Sequence, residues 1–335
     1  IVMTSRNLSD LDTDPSLLTF FHPEGEITEG LRFIDRNGGS SPLVLVLKDQ
    51  GEALMNEKTM YKRLWALQRD LEQQPDVGTV ISLPTLLAEG KRRPFSFLLS
   101  SEKIISKLEE EQYSRIAQGF VSTDRRYGLF LLRMKEEGRS ADRLQVIAGL
   151  EETVRRHHFV PHLLGGIYAL QGHLSQHVAS SLIYGLARLI LVFSVIALFV
   201  SRSIRIALAM TVSISIVPVC ILGLIGYYKI PLDTISAPAA NVAIAMGIDA
   251  MIHMVHAYRR LERNKEHHLN DWLKVRRKLW EPVVTSMFII CSGFGIFFMS
   301  KFPPTQRFGA AIVFGTVIAA VTALFIFPLV AKRWR

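Results

Sequence analysis

Several common functional signatures are missing from this sequence. It contains two cysteines, Cys220 and Cys291, and each lies inside an apolar run, so no disulfide framework is indicated. It has no phosphate-binding loop, no glycine-rich dinucleotide motif and no Gly-x-Ser-x-Gly element. Its histidines do not follow the spacing of zinc ligands. The sequence therefore predicts no metal site and no bound cofactor, and it gives little support to an ATP-driven pump or an enzyme.

Charge is scarce in the second half of the chain. Charged residues make up 21% of the sequence, yet the mean hydropathy is +0.24, and the two values are compatible because charged and apolar residues are segregated. Residues 1–178 mix both types, whereas residues 179–335 form long apolar runs with short charged links. We expect two domains with these bounds. Because the chain begins with Ile1 and no signal peptide precedes its first domain, we also expect it to be a piece of a longer polypeptide or a processed chain.

The second half contains enough long apolar runs for about five transmembrane helices. A helix needs roughly 20 apolar residues to cross the hydrocarbon core. A buried core helix would explain one such run, but not five in succession. The predicted spans are residues 181–200, 204–227, 232–256, 282–300 and 308–330.

The formal net charge of +9 is interpreted as a topology signal rather than as a nucleic-acid-binding surface. Basic residues cluster in the link 201–205, in the link 258–280 and at the C-terminus, and such links face the cytoplasm. The first domain is then extracytoplasmic. Trp272 and Trp280 favour an amphipathic helix in the membrane interface for the long link, although a solvated connector remains possible.

One carboxylate lies well inside the third predicted span. Asp249 costs a few kcal/mol there if charged, so it needs a partner, a water-filled cavity or a proton. Because an apolar surrounding favours the neutral carboxyl, such a group can load and release a proton when its surroundings alternate. His253, one helical turn later on the same face, could assist. The alternative for Asp249 is a hydrogen bond that only locks helix packing.

Other polar and small residues in the spans are secondary candidates. Packing is the simpler interpretation of each of the four hydroxyl residues Thr285, Ser286, Ser292 and Thr316. Thr285, Ser286 and Ser292 could still hydrate or hydrogen-bond the carboxylate. Glycines in a membrane allow neighbouring helices to approach closely. The glycines concerned are Gly247, Gly293, Gly295, Gly309 and Gly315.

In the first half, strand and helix patterns alternate. A β-α-β unit spans about residues 43–82, and a second spans about 127–168, with a polar, partly helical insert between them at 83–122. Two such units predict a ferredoxin-like split β-α-β sandwich. The predicted fold class is thus an α-helical membrane protein with an extracytoplasmic α+β domain. We expect the last helix of that domain to continue into the first span.

Two blocks of the membrane half carry recognisable signatures. The run AMGIDAMIHMVHAYRR, from Ala245 to Arg260, is similar to the Gly-Val-Asp-Tyr-Ala-Ile-His…Tyr-Arg signature of the resistance-nodulation-division (RND) superfamily, most closely to its hydrophobe-exporter and MMPL branch. The run from Pro282 to Gly309, with SKFPPTQRFG at its end, is similar to a second signature. The stretches 12–21 and 76–87 look like parts of its porter domain.

The resemblance implies export of lipids or other amphiphiles from the bacterial inner membrane, driven by the proton motive force and without a cofactor. It places Asp249 on the proton-relay aspartate. It also implies a second half, in the same longer chain or in another subunit, and allows a periplasmic carrier protein as partner. The tyrosine that follows the aspartate in the family is Ala250 here. This departure motivates the alternative of a non-pumping, sterol-sensing-like protein that binds lipid or acts as a scaffold.

Overall fold

The structure is a computed structural model that describes residues 12–55, 57–91, 119–233, 235–263 and 271–333. These residues divide into two compact units. One consists of Ser16–Leu18 and Pro23–Leu174, and the other is formed mainly by Ser175–Arg335.

The first unit is a four-stranded antiparallel sheet with helices between its strands. The strand order is β2-β3-β1-β4, and each neighbouring pair is antiparallel. The strands are β1 (Ser41–Asp49), β2 (Val77–Ile81), β3 (Tyr127–Met134) and β4 (Phe159–Gly165). The helices of this unit are α1 (Glu26–Gly38), α2 (Lys58–Glu72), α3 (Leu83–Lys91) and α4 (Arg143–Arg156). α3 begins the predicted insert, and residues 92–118 of that insert lie outside the described residues.

The core of this unit follows the two periodicities of its elements. Alternate residues of β1 are buried, because successive side chains of a strand point to opposite faces of the sheet. Leu45 on β1 belongs to the same buried cluster as Leu67 on α2 and Val154 on α4. The sheet and its two long helices therefore share one apolar core.

A buried ion pair lies at the edge of that core. The guanidinium Nη2 of Arg143 is 2.6 Å from Oε2 of Glu136, and both side chains are fully buried. The same Glu136 oxygen accepts a hydrogen bond from the backbone N–H of Leu17. A charge pair in this position tolerates loss of one partner poorly, because the remaining charge would stay buried.

The second unit is a bundle of long helices. Its helices are α5 (Ile167–Ser201), α6 (Ile204–Tyr227), α7 (Ala239–Arg263), α8 (Asp271–Gly295) and α9 (Pro303–Val321), followed by a π turn at Thr322–Ile326 and by α10 (Phe327–Arg333). Among the described residues, five helical segments are long and apolar enough to cross a membrane. The prediction of about five apolar membrane helices is confirmed at this level, and α5 is one continuous helix, as expected.

The third candidate span is the least apolar of the five. Its mean hydropathy is 1.3, against 1.9 to 2.5 for the other four. The difference reflects the polar side chains of α7, among them Asn241, Asp249 and His253. A helix of this kind needs a polar environment along one of its faces.

The long basic link differs from the sequence interpretation. α7 continues to Arg263 and α8 begins at Asp271, so the predicted link 258–280 is largely helical extension of two spans, and residues 264–270 lie outside the described residues. Trp272 stacks on Tyr258 with ring centroids 4.2 Å apart, and both residues are buried. Trp272 is thus a packing residue of the bundle, because α7 supplies an aromatic face that covers it, whereas Trp280 is 46% exposed.

Glycine allows the central helices of the bundle to touch. A Cβ on Gly315 would lie 2.8 Å from Cδ1 of Ile221 and closer still to Cβ of Ala243. A Cβ on Gly247 would lie 2.8 Å from Cδ1 of Ile214. Contacts of this kind bring α6, α7 and α9 to van der Waals distance. The same prediction is wrong for Gly293 and Gly295 within the described part of this chain, where no atom lies within 4 Å of an added Cβ.

Candidate functional site

The two faces of α7 have opposite characters. Its apolar residues, such as Ala243, Met251 and Met254, are buried in the bundle core. The other face is exposed in this chain and carries a stripe of mostly polar residues at intervals of three or four. We call it the α7 polar stripe, and its members are Asn241, Ala245, Asp249, His253, His256 and Arg260. The stripe follows from helical periodicity, which aligns residues three and four apart.

Asp249 and His253 lie together in the middle of this stripe. The Nε2 atom of His253 is 3.5 Å from the Oδ1 atom of Asp249. The side chain of His253 is 65% exposed and that of Asp249 is 76% exposed. At this distance a protonated imidazole would stabilise the carboxylate through its charge, while the two atoms are too far apart for a strong direct hydrogen bond.

A cavity of about 530 Å³ adjoins these two residues. It is lined by side chains from α7, α8 and α9, most of them apolar. Among the lining residues, the ionisable groups are Asp249 and His253, and the hydroxyl groups are those of Ser286 and Thr316. The cavity is thus an apolar space in which one carboxylate is accompanied by three other polar side chains.

The secondary candidates separate onto two faces of α8. All three are exposed, but only Ser286 lines the cavity, whereas Thr285 and Ser292 do not. Neighbouring positions on a helix point about 100° apart, so Ser286 faces the cavity while Thr285 turns towards the side that carries the exposed Phe288 and Ile289.

Sequence reasoning assigned Thr316 to packing and did not connect it to Asp249. In the structure Thr316 lines the cavity and donates a hydrogen bond to the sulfur of Met246, 3.4 Å away. The position of Thr316 next to Gly315 is the sequence feature that could have predicted this, since a close helix contact at a glycine brings the neighbouring residues to the facing helix.

Ala250, where the resembling family has tyrosine, also lines the cavity. Its methyl group packs against the bundle core and offers no hydrogen-bonding group. Within this chain, the described partner that stands close to the Asp249 carboxylate is therefore His253. No group of three or more metal-ligating side chains occurs among the described residues.

Comparison with known proteins assigns the chain to a family. The MMPL family model matches residues 29–332, which include both the sheet unit and the five apolar helices. A comparison with curated protein sequences finds no match. Members of the matched family are RND-type transporters of hydrophobic substrates rather than enzymes. The match covers most of the chain and agrees with a multi-pass membrane protein. The chain therefore belongs to the MMPL family.

Proposed function

We propose that this chain takes part in proton-motive-force-driven export of lipids or other amphiphilic molecules from the inner membrane. Asp249 is the group that takes up and releases the proton, and His253 assists it. The observation that carries the proposal is the position of the Asp249 carboxylate in an apolar helix. It lies on the exposed face of this helix and borders a cavity that contains two hydroxyl groups. Ionisable residues at such positions mark proton and ion pathways.

The chemistry needs two states of the same carboxyl group. When the cavity holds water, the charged carboxylate is stabilised by solvent and by His253. When the surroundings are dry, the neutral acid is favoured. Alternation between these environments lets Asp249 load a proton on one side and release it on the other. Because Ala250 offers no hydroxyl, His253 takes the place of the tyrosine partner in this mechanism.

The α7 polar stripe supports the proposal that a second body covers this face. If the charged Asp249 side chain faced lipid, this would cost a few kcal/mol on insertion scales. Asn241 and His253 would add to this cost. A second transporter half, in the same longer chain or in another subunit, would remove these side chains from lipid. It could also supply a further partner for Asp249, and a periplasmic carrier could receive the cargo.

The sheet unit is proposed to be a ferredoxin-like porter domain on the extracytoplasmic side. Its two β-α-β units and the strand order β2-β3-β1-β4 support this interpretation of the fold. The basic residues near the α7–α8 connection and the C-terminus support a cytoplasmic position for these ends. On this basis we propose residues 1–178 as the porter domain and residues 179–335 as the membrane domain.

The test is transport by the Asp249→Asn variant in proteoliposomes with an imposed pH gradient and a fluorescent lipid analogue. We expect loss of gradient-dependent transport of at least about tenfold, because asparagine cannot exchange a proton. His256→Gln is the matched control, since His256 lies on the same stripe but does not line the cavity. Undiminished transport by Asp249→Asn would remove Asp249 from the mechanism.

A second candidate function is that of a sterol-sensing-like protein that binds lipid or a partner without pumping. Ala250 favours it, because the relay aspartate lacks its tyrosine. The two functions differ in their response to a protonophore. Collapse of the gradient stops transport by a pump, whereas lipid binding by a sensor or scaffold continues unchanged.

A further inference from the structure

A second cavity lies at the end of the bundle that carries the α6–α7 and α8–α9 connections. Its volume is about 760 Å³, which lies within the range of small-molecule sites. Its apolar wall is formed by Ile221 and Leu224 of α6 and by Ala310 and Phe314 of α9. It shares no lining residue with the Asp249 cavity, so its function can be tested separately.

The lining of this cavity carries positive charge. Lys229 and Arg307 contribute two cations, and no carboxylate is among the lining residues that the structure describes. Arg307 is held in place by an ion pair of 3.1 Å with Asp233 and by a hydrogen bond of 2.6 Å to the carbonyl of Thr19. Asp233 offsets one of the two charges, which leaves a net positive charge beside an apolar space.

Aromatic residues indicate where the entrance of the cavity lies in the membrane. Tyr227 is the last residue of α6 and Tyr228 follows it; their rings pack edge to face and both residues are exposed. Exposed tyrosines at a helix end are typical of the level of the lipid headgroups. Phe298 and Phe314, which line the cavity, are also exposed, so the cavity opens sideways onto the surface of the bundle. An amphiphile could therefore enter from the bilayer without crossing water.

Lys229 occupies a backbone position that suits glycine better. Its φ is +48°, in the left-handed region, and it follows the end of α6 where Ile230 N–H donates to the carbonyl of Ile225. Glycine adopts this conformation at helix ends without the steric cost that other residues have. Replacement of Lys229 by glycine thus removes the charge while keeping the turn.

We propose that this cavity binds one anionic phospholipid of the surrounding membrane. An acyl chain lies between α6 and α9, and the phosphate lies beside Lys229 and Arg307. The charge of the entrance selects the anionic headgroup, and the apolar wall accepts the chain. The proposal does not depend on proton transfer by Asp249.

The experiment is native mass spectrometry of the full chain in detergent, titrated with dioleoyl phosphatidylglycerol and, separately, with dioleoyl phosphatidylcholine. We expect the anionic phosphatidylglycerol to bind more tightly than the zwitterionic phosphatidylcholine. The affinity of Lys229→Gly for phosphatidylglycerol should be about fivefold lower and approach its affinity for phosphatidylcholine. One lysine near an anionic headgroup contributes about this factor. Lys301→Gly is the matched control, because Lys301 is exposed on the α8–α9 connection but does not line the cavity.

A second variant tests the apolar part of the site. Ala310→Phe places a ring in the cavity and should weaken both lipids, with folding checked by circular dichroism. Binding is measured without a proton gradient, so its result does not depend on the proposed relay. Equal binding of the two lipids by the unchanged chain, equal effects of Lys229→Gly and Lys301→Gly, or unaltered binding by a folded Ala310→Phe variant would each overturn the proposal.

Discussion

Replacement of Gly315 by alanine should force apart the helices that surround the Asp249 cavity. The added carbon would lie 2.8 Å from Cδ1 of Ile221, about 0.7 Å inside the shortest favourable carbon contact of roughly 3.5 Å. It would overlap more strongly with Cβ of Ala243. The Ile221 side chain can rotate away, but Ala243 can move only with the backbone of α7.

The expected magnitude follows from a comparison of two glycines. Overpacking of a close contact costs about 1–3 kcal/mol, whereas a Gly→Ala change inside a helix gains up to about 1 kcal/mol from helix propensity. Among the described residues, no atom lies within 4 Å of a Cβ added to Gly185 in α5, so Gly185→Ala carries only the propensity gain. Gly315→Ala should therefore be less stable than Gly185→Ala by about 1–3 kcal/mol.

The assay is reversible unfolding of the full chain in mixed micelles, with the free energy of unfolding compared between the two variants. A rescue makes the test specific. Ala243→Gly removes the methyl group that Gly315→Ala would strike, so the double variant should recover much of the lost stability through a favourable coupling energy. Equal stability of the two single variants, or no recovery in the double variant, would refute the packing of α7 against α9 at this point.

Three further predictions concern the sheet unit. Arg143→Met should destabilise this unit by about 3–5 kcal/mol in chemical unfolding, because the carboxylate of Glu136 stays buried without its cation. The double variant Arg143→Met/Glu136→Leu should recover most of this loss. Leu67→Ala should cost about 2–5 kcal/mol in the same assay, since Leu67 is fully buried. Acid unfolding, followed by circular dichroism, should depend on Asp49. In Asp49→Asn the stability of the sheet unit should fall less steeply as the pH is lowered.

The sign of the Asp49 effect follows from its surroundings. Burial alone would raise the pKa of the Asp49 carboxyl, but hydrogen bonds from Ala53 and Gly51 and the ion pair with Arg63 outweigh it and hold the pKa below its usual range. The unfolded chain then binds the proton more tightly than the folded one. The stabilisation is present above the ordinary aspartate pKa of about 4 and is lost as the pH falls through the lower folded value. Acid stability unchanged by Asp49→Asn would contradict this account.

The candidate site was only partly predictable from the sequence. Asp249 and His253 could be found because a carboxylate stands out in an apolar run and helical periodicity places a residue four positions later on the same face. Ser286 could not be separated from Thr285 in this way, because the choice depends on which side of α8 meets α7 and α9. The same applies to Thr316, which reaches the cavity only because Gly315 allows a close helix contact.

The sequence by itself determined the features that depend on local composition. Long apolar runs predict membrane helices because helix length must match bilayer thickness, and alternating strand and helix patterns predict the elements of the sheet unit. Only the tertiary structure decided which faces meet. It buried Trp272 against Tyr258, packed Gly315 against Ala243, and joined Lys229 to Arg307 around a cavity. The physical reason is that these contacts join residues of different helices or helix ends, and packing between helices selects them.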